Sequence, residues 1–239
     1  MPLKAVFLDV YNTIAGFHPP REEIQSASAA EHGLTLTPDG TARGYHDADA
    51  LMNEQNRVRP VRLMPPDEQL RFFAEYERRV LRGSGHEVDL ETAGRVWQTV
   101  RRQEYWLRLF PDVIPALDSL KPSGYTIGVI SNINQSGAVL ARDLGLEDRV
   151  DFVMTSREAG AEKPHAAIFL AALDRAGVLA AEAVHVGDQI DSDIRGAEAV
   201  GIRPVLMDRY GNYPGYTDHR RIMTLGELPE LLRGFNARA

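Results

Sequence analysis

Lys4-Ala-Val-Phe-Leu-Asp9-Val-Tyr11-Asn-Thr13 is a short apolar run that closes on an acid and empties into a polar turn. A run of this kind, bounded by turn residues, reads as a strand buried on both faces. The design returns in Tyr125-Thr-Ile-Gly-Val-Ile-Ser131-Asn132, Val150-Asp-Phe-Val-Met-Thr155, Ala183-Val-His-Val-Gly-Asp188 and Arg203-Pro-Val-Leu-Met-Asp208. Between these segments, residues 135–145 and 164–177 place apolar side chains three and four apart and end near Gly145 and Gly177, a helix pattern with its usual stop signal. Strands alternating with helices predict parallel strands joined by right-handed crossovers. The expected fold class is α/β, with a Rossmann-like parallel sheet as its core.

Residues 20–106 break that alternation. They hold no strand pattern but four amphipathic stretches, near 21–32, 38–56, 66–82 and 89–105, with Pro19-Pro20, Pro65-Pro66 and Pro111 where helix starts or turns belong. An all-helical domain inserted into the core is predicted, joined by linkers near 14–20 and 106–112. The boundaries read as 1–16 and 108–239 for the core and 17–107 for the insert. A closing amphipathic helix is expected in the tail from about residue 222.

Composition narrows the function. Of 239 residues, 44% are hydrophobic and 26% charged, the balance of a packed soluble protein rather than a disordered one. Net charge is −7, which argues against nucleic acid as a partner and for a small molecule. The absence of cysteine excludes disulfides, thiolate metal sites and cysteine nucleophiles. No stretch approaches a membrane span, and the N-terminus runs straight into the first strand without a signal-peptide cleavage site, so a cytoplasmic location is expected.

Ligands of an open parallel sheet bind beyond the carboxyl ends of its strands. Asp9, Ser131-Asn132 and Asp188 fall at those ends, and Lys163, one of only three lysines, precedes a helix-starting proline. Four segments in this order, Asp9-Val-Tyr11-Asn-Thr13, Ser131-Asn132, Lys163-Pro164 and Gly187-Asp188-Gln-Ile-Asp191-Ser-Asp193, resemble the motifs of the haloacid dehalogenase (HAD) superfamily, in the branch with a helical cap inserted after the first motif. The resemblance spans nearly the whole chain and is most specific over residues 110–208.

The resemblance implies that Asp9 is a carboxylate nucleophile forming a covalent intermediate. It implies that Thr13, Ser131 and Asn132 serve the substrate-binding loops, with Ser131 and Asn132 donating hydrogen bonds to the transferring group. Lys163 balances the charge of Asp9 and substrate. Asp9, Asp188, Asp193 and the backbone carbonyl of Tyr11 form the implied Mg²⁺ site, since carboxylates crowded together repel without a cation and magnesium takes hard oxygen ligands. Asp191 is the weaker candidate, because a solvated acid at a helix start needs no further role. The cap is expected to close over the site and select an anionic small-molecule substrate.

One position departs from the pattern. Phosphatases of the superfamily carry a second aspartate two residues after the nucleophile, where this chain has Tyr11. General acid–base groups contribute about 10² to 10⁴ in rate, and a phenol titrating near 10 can donate a proton but is a poor base at neutral pH. Tyrosine there resembles the true 2-haloacid dehalogenases, in which Asp attacks carbon without a metal, whereas Gly187-Asp188 and Asp193 resemble the metal-dependent members. Phosphonoacetaldehyde hydrolase is excluded, since the insert holds no lysine for a Schiff base. The expectation is an Mg²⁺-dependent phosphatase-like hydrolase with a weakened acid–base step. The alternatives are a dehalogenase-like attack on carbon and a silent protein that binds metal and phosphate.

The remaining polar clusters read as structural. Arg43, Tyr45, His46, Arg57, Arg59 and Arg62 are expected on solvated helix faces, with contact to an anionic substrate tail as the alternative. His18 is expected as a bystander on a linker, with reach into the site as the alternative, and Trp97, Tyr105 and Trp106 are expected as packing residues at the end of the last cap helix. His185 reads as a core histidine. The segment Tyr210–Tyr216 leaves two roles open, at the site entrance or at a subunit contact.

Overall fold

The computed structural model describes residues 1–237. Its strands are β1 (Ala5–Leu8), β2 (Ala15–His18), β3 (Trp106–Leu109), β4 (Thr126–Ser131), β5 (Phe152–Thr155), β6 (Ala183–Gly187), β7 (Arg203–Met207) and β8 (Arg220–Ile222). The helices are α1 (Arg21–Ala30), α2 (Pro38–Val58), α3 (Pro66–Gly83), α4 (Leu90–Val100), α5 (Val113–Leu120), α6 (Gly137–Asp143), α7 (Ser156–Ala159), α8 (Ala166–Ala176), α9 (Gly196–Ala199) and α10 (Leu228–Asn236). They fall into two compact units, one of Met1–Gly16 with Leu107–Ala239, the other Phe17–Trp106.

In the first unit six parallel strands lie in the order β5-β4-β1-β6-β7-β8. Along β1 the side chains alternate between two cores: Val6 and Leu8 join the apolar cluster that includes α5 and α10, while Ala5 and Phe7 join the one that includes α8. Burial on both faces is why this strand is apolar throughout. Leu8 pairs with Val129 of β4 and with Val186 of β6, so the carboxyl ends of the three central strands lie level. Helices enter and leave through local signals: Thr155 and Glu158 form a reciprocal cap on α7, and Gly145 and Gly177 take the left-handed conformation past α6 and α8.

The second unit is helical. The Thr37 side chain caps α2 by accepting from Gly40 N, and Asp89 caps α4 by accepting from Thr92 N at 2.7 Å. Helices α2 and α3 approach so closely that a Cβ on Gly44 would lie 2.2 Å from the Val80 carbonyl oxygen. Phe73 stacks on Trp97 at 4.5 Å, confirming Trp97 as a packing residue.

Three short strands were not legible. The segments in which the chain passes between the units pair as β2 and β3, and β8, of sequence Arg-Arg-Ile, adds an edge to the main sheet. None offers an apolar run, and β3 alternates exposed and half-buried positions. The last helix of the second unit stops at Val100, so Tyr105 and Trp106 are not on it. Both are more than half exposed, and they meet Phe17 and His18 edge to face at 4.8 and 5.0 Å.

Candidate active site

The level strand ends deliver their polar residues to one cavity of about 220 Å³. Asp9, Tyr11, Ser131, Asn132, Lys163, Asp188 and Asp193 line it, with Ile133, Gln189 and Ser192 between them. Thr13 is not among the lining residues. It is buried with its hydroxyl unpartnered among the described residues, and its carbonyl accepts two bonds from Arg209, at 2.7 and 2.9 Å.

Lys163 is the centre of the charge arrangement. Its ammonium donates to Asp9 Oδ1 at 2.5 Å, Asp193 Oδ1 at 2.6 Å and the Ile130 carbonyl at 3.1 Å, which uses all three of its hydrogens. Burial works against the charged lysine, but the two carboxylates outweigh it and hold its pKa above the usual value. Burial likewise opposes ionisation of Asp193, yet Lys163 and the bond from His185 keep that carboxyl well below the ordinary range. Asp9 is pushed up to about 6, by burial first and the Asp193 charge next, with Lys163 pulling against both.

Asp188 stands apart. Asn12 Nδ2 donates to it at 3.2 Å, and burial together with the Asp9 and Asp193 charges raises its pKa well above the carboxylate range. Carboxylate oxygens of Asp9, Asp188 and Asp193 lie within 4.8 Å of one another. One ammonium cannot compensate three carboxylates, and an all-oxygen donor set suits a hard divalent cation. The residues therefore fit a divalent metal site.

The backbone of the site is clamped by side chains. Asn132 accepts from Lys163 N at 2.7 Å and donates to the Lys163 carbonyl at 3.1 Å. Its amide thus spans the Lys163 backbone instead of standing free for a bound group, with one N–H left. The Ser131 hydroxyl accepts from Ile133 N at 3.3 Å, which leaves its own proton to donate. Gly187 is required by packing, since a Cβ there would fall 2.2 Å from Asp193 Cγ. Asp191 points away, exposed and paired with Arg195.

Several contributors were missed. Asn12 adopts a left-handed backbone, φ 57°, which asparagine tolerates better than most residues, and so turns its side chain to Asp188. Arg209 ties the loop after β1 to Asp112 at 3.0 Å and lies over the Phe110 ring. Asn12 lies within the first motif without a role of its own there, and Arg209 directly follows the strand-ending Asp208. Asp208 itself lies outside the cavity lining, where it accepts from the backbone of Asn212 and Tyr213 and pairs with Arg221. The Tyr210–Tyr216 segment thus wraps a buried carboxylate. In the helical unit, Arg43 bonds the Gly83 carbonyl, Arg59 pairs with Glu68, and Tyr45 is buried with its hydroxyl on Gln25.

A family model for haloacid dehalogenase-like hydrolases matches residues 3–201. A ribulose-1,5-bisphosphate 5-phosphatase of Halopiger xanaduensis is 32% identical over 95% of this chain and 98% of its own. A haloacid dehalogenase-like hydrolase domain-containing protein 3 of Xenopus laevis is 31% identical over 87% and 85%. A glyceraldehyde 3-phosphate phosphatase of Methanopyrus kandleri is 39% identical over 45% and 46%. Among solved structures, a 2-haloacid dehalogenase from Pseudomonas syringae superposes with TM-score 0.57 at 27% identity, covering 98% of this chain and 99% of that one. A magnesium-bound hydrolase of Bacillus subtilis superposes with TM-score 0.65 at 19% identity, over 97% and 99%.

Proposed function

From a chain that belongs to the haloacid dehalogenase-like hydrolase family, and is a phosphatase-like enzyme within it, we propose Mg²⁺-dependent hydrolysis of a small phosphorylated metabolite through Asp9. The observation that carries the reading is the cluster of the Asp9, Asp188 and Asp193 carboxylates, of which the Lys163 ammonium pairs with Asp9 and Asp193. Near-complete coverage of a phosphatase acting on ribulose bisphosphate makes sugar phosphates the first substrates to try. In this reading Phe17–Trp106 is the inserted cap domain and the other unit the catalytic core.

An Asp9 carboxylate oxygen bonds to phosphorus as the ester P–O bond breaks, giving an aspartyl phosphate and an alcohol or phenol. Water then attacks phosphorus, breaks the bond to Asp9 and releases phosphate. Lys163 holds the attacking carboxylate, Ser131 O–H and the free Asn132 N–H donate to the phosphoryl oxygens, and Asp9, Asp188, Asp193 and the Tyr11 carbonyl are the residues that would hold Mg²⁺. The metal would supply neutralisation of the phosphoryl charge, the larger part of catalysis in such transfers. Tyr11 can protonate a leaving oxygen but serves poorly as the base that activates water, which favours esters with good leaving groups. Tyr11→Asp tests this: turnover of alkyl phosphates is expected to rise by about 10² or more, with a smaller rise for aryl phosphates. An unchanged rate would overturn the assignment of the weak step to Tyr11.

Tyr11 and the 27% identity to a 2-haloacid dehalogenase favour a second reading, attack of Asp9 on carbon with loss of halide. Turnover in ¹⁸O-water separates the two. Attack of water on phosphorus places the label in phosphate, whereas hydrolysis of an Asp9 ester places it in the Asp9 carboxylate.

A further inference from the structure

His185 lies on β6, level with Phe7 of β1 and Pro204 of β7, and is fully buried. Its Nε2 is 2.9 Å from Asp193 Oδ1, and its ring meets Phe169 edge to face at 5.2 Å. Nδ1 has no hydrogen-bond partner among the described residues. A neutral imidazole carries its proton on one nitrogen and a lone pair on the other. With Nδ1–H, a buried donor would lack an acceptor and the Nε2 lone pair would face a carboxylate oxygen. The proton therefore sits on Nε2, donated to Asp193.

Asp193 is held on both oxygens. Oδ1 accepts from Lys163 Nζ and His185, and Oδ2 accepts from Gln189 N at 3.1 Å. Of the three acceptors around the Lys163 ammonium, Asp9 changes charge and shape during turnover and the Ile130 carbonyl is backbone. Asp193 is the one side chain that stays to hold the lysine while Asp9 reacts. We propose that His185 is a positioning residue of the active site: its Nε2–H fixes the Asp193 carboxylate that keeps Lys163 against Asp9. The inference rests on the phosphoryl-transfer reading of Asp9. A surrounding hydrogen-bond partner of this kind typically matters by about 10- to 100-fold in activity.

The test uses the full chain with Mg²⁺ and an aryl phosphate, comparing wild type, His185→Leu, His185→Gln and Asp9→Asn, with thermal unfolding of each. Long-range ¹H–¹⁵N spectra of histidine-labelled wild type report the tautomer independently of activity. The expected results are an Nε2–H tautomer and a kcat about 10- to 100-fold lower in folded His185→Leu at nearly unchanged KM. His185→Gln, whose amide reaches the Nε2 position, recovers part of the loss. An Nδ1–H tautomer would overturn the proposal, as would wild-type kcat in folded His185→Leu. If the leucine variant does not fold, the tautomer and the glutamine variant decide, and a glutamine variant with wild-type stability and a kcat loss of about 100-fold or more counts against the donor role. Full activity in Asp9→Asn would instead refute the underlying chemistry and leave the tautomer result standing.

Discussion

Lys163 of the core unit and Glu77 of the helical unit are both buried, yet their surroundings treat charge in opposite ways. Lys163 faces two carboxylates and a carbonyl and stays charged. Glu77, on α3, accepts from the Gln25 amide, whose oxygen accepts from the Tyr45 hydroxyl at 3.0 Å, and Glu77 Oε2 has no hydrogen-bond partner among the described residues. Burial without a cation pushes Glu77 up to about 8, so at neutral pH it is a neutral acid. Charge is kept where reacting groups need it and suppressed where packing alone is at stake.

The largest test of that contrast is Lys163→Met. Removing the partner from a buried ion cluster costs about 3–5 kcal/mol, because the remaining charges are left uncompensated. Denaturant unfolding of the metal-free protein should show that loss, and a change below about 1 kcal/mol would break the contrast. Glu77→Gln comes next. The folded Glu77 holds a proton that the unfolded chain releases near its ordinary 4.5, so its contribution is full below that pH and is lost up to about 8. Relative to the variant, wild type should lose about 1.4 kcal/mol per pH unit across that window. Parallel stability curves between pH 5 and 8 would show Glu77 to be ionised in the folded state. Asn12→Gly is the smallest effect expected. Glycine keeps the left-handed turn but removes the bond to Asp188, which costs under about 1.5 kcal/mol. Weaker retention of Mg²⁺, read by metal titration, would mark Asn12 as an orienting group for Asp188, whereas unchanged retention would show that bond to be dispensable.

How much could be read beforehand follows the same physics. Strands β1, β4 and β6 are buried on both faces, so their apolar runs and terminal polar residues stand out, and the residues they deliver were found. Strands β2, β3 and β8 are short and partly exposed, and nothing in their composition separates them from linkers. Asn12 and Arg209 act through a backbone turn and a long-range clamp that leave no periodic signal. His185 was legible as buried, but its bond to Asp193 depends on the absence of a Cβ at Gly187, a contact of folded geometry. Asp208 shows the converse, a strand-ending acid of the same appearance as Asp9 that holds a turn and an arginine outside the cavity.

The central claim is that Asp9 performs metal-assisted phosphoryl transfer, and phosphate release from a panel of sugar and aryl phosphates tests it most directly. Wild type with Mg²⁺ should release phosphate, and chelator or Asp9→Asn should each reduce the rate by about 10³ or more. Phosphate release that survives both chelator and Asp9→Asn would contradict it.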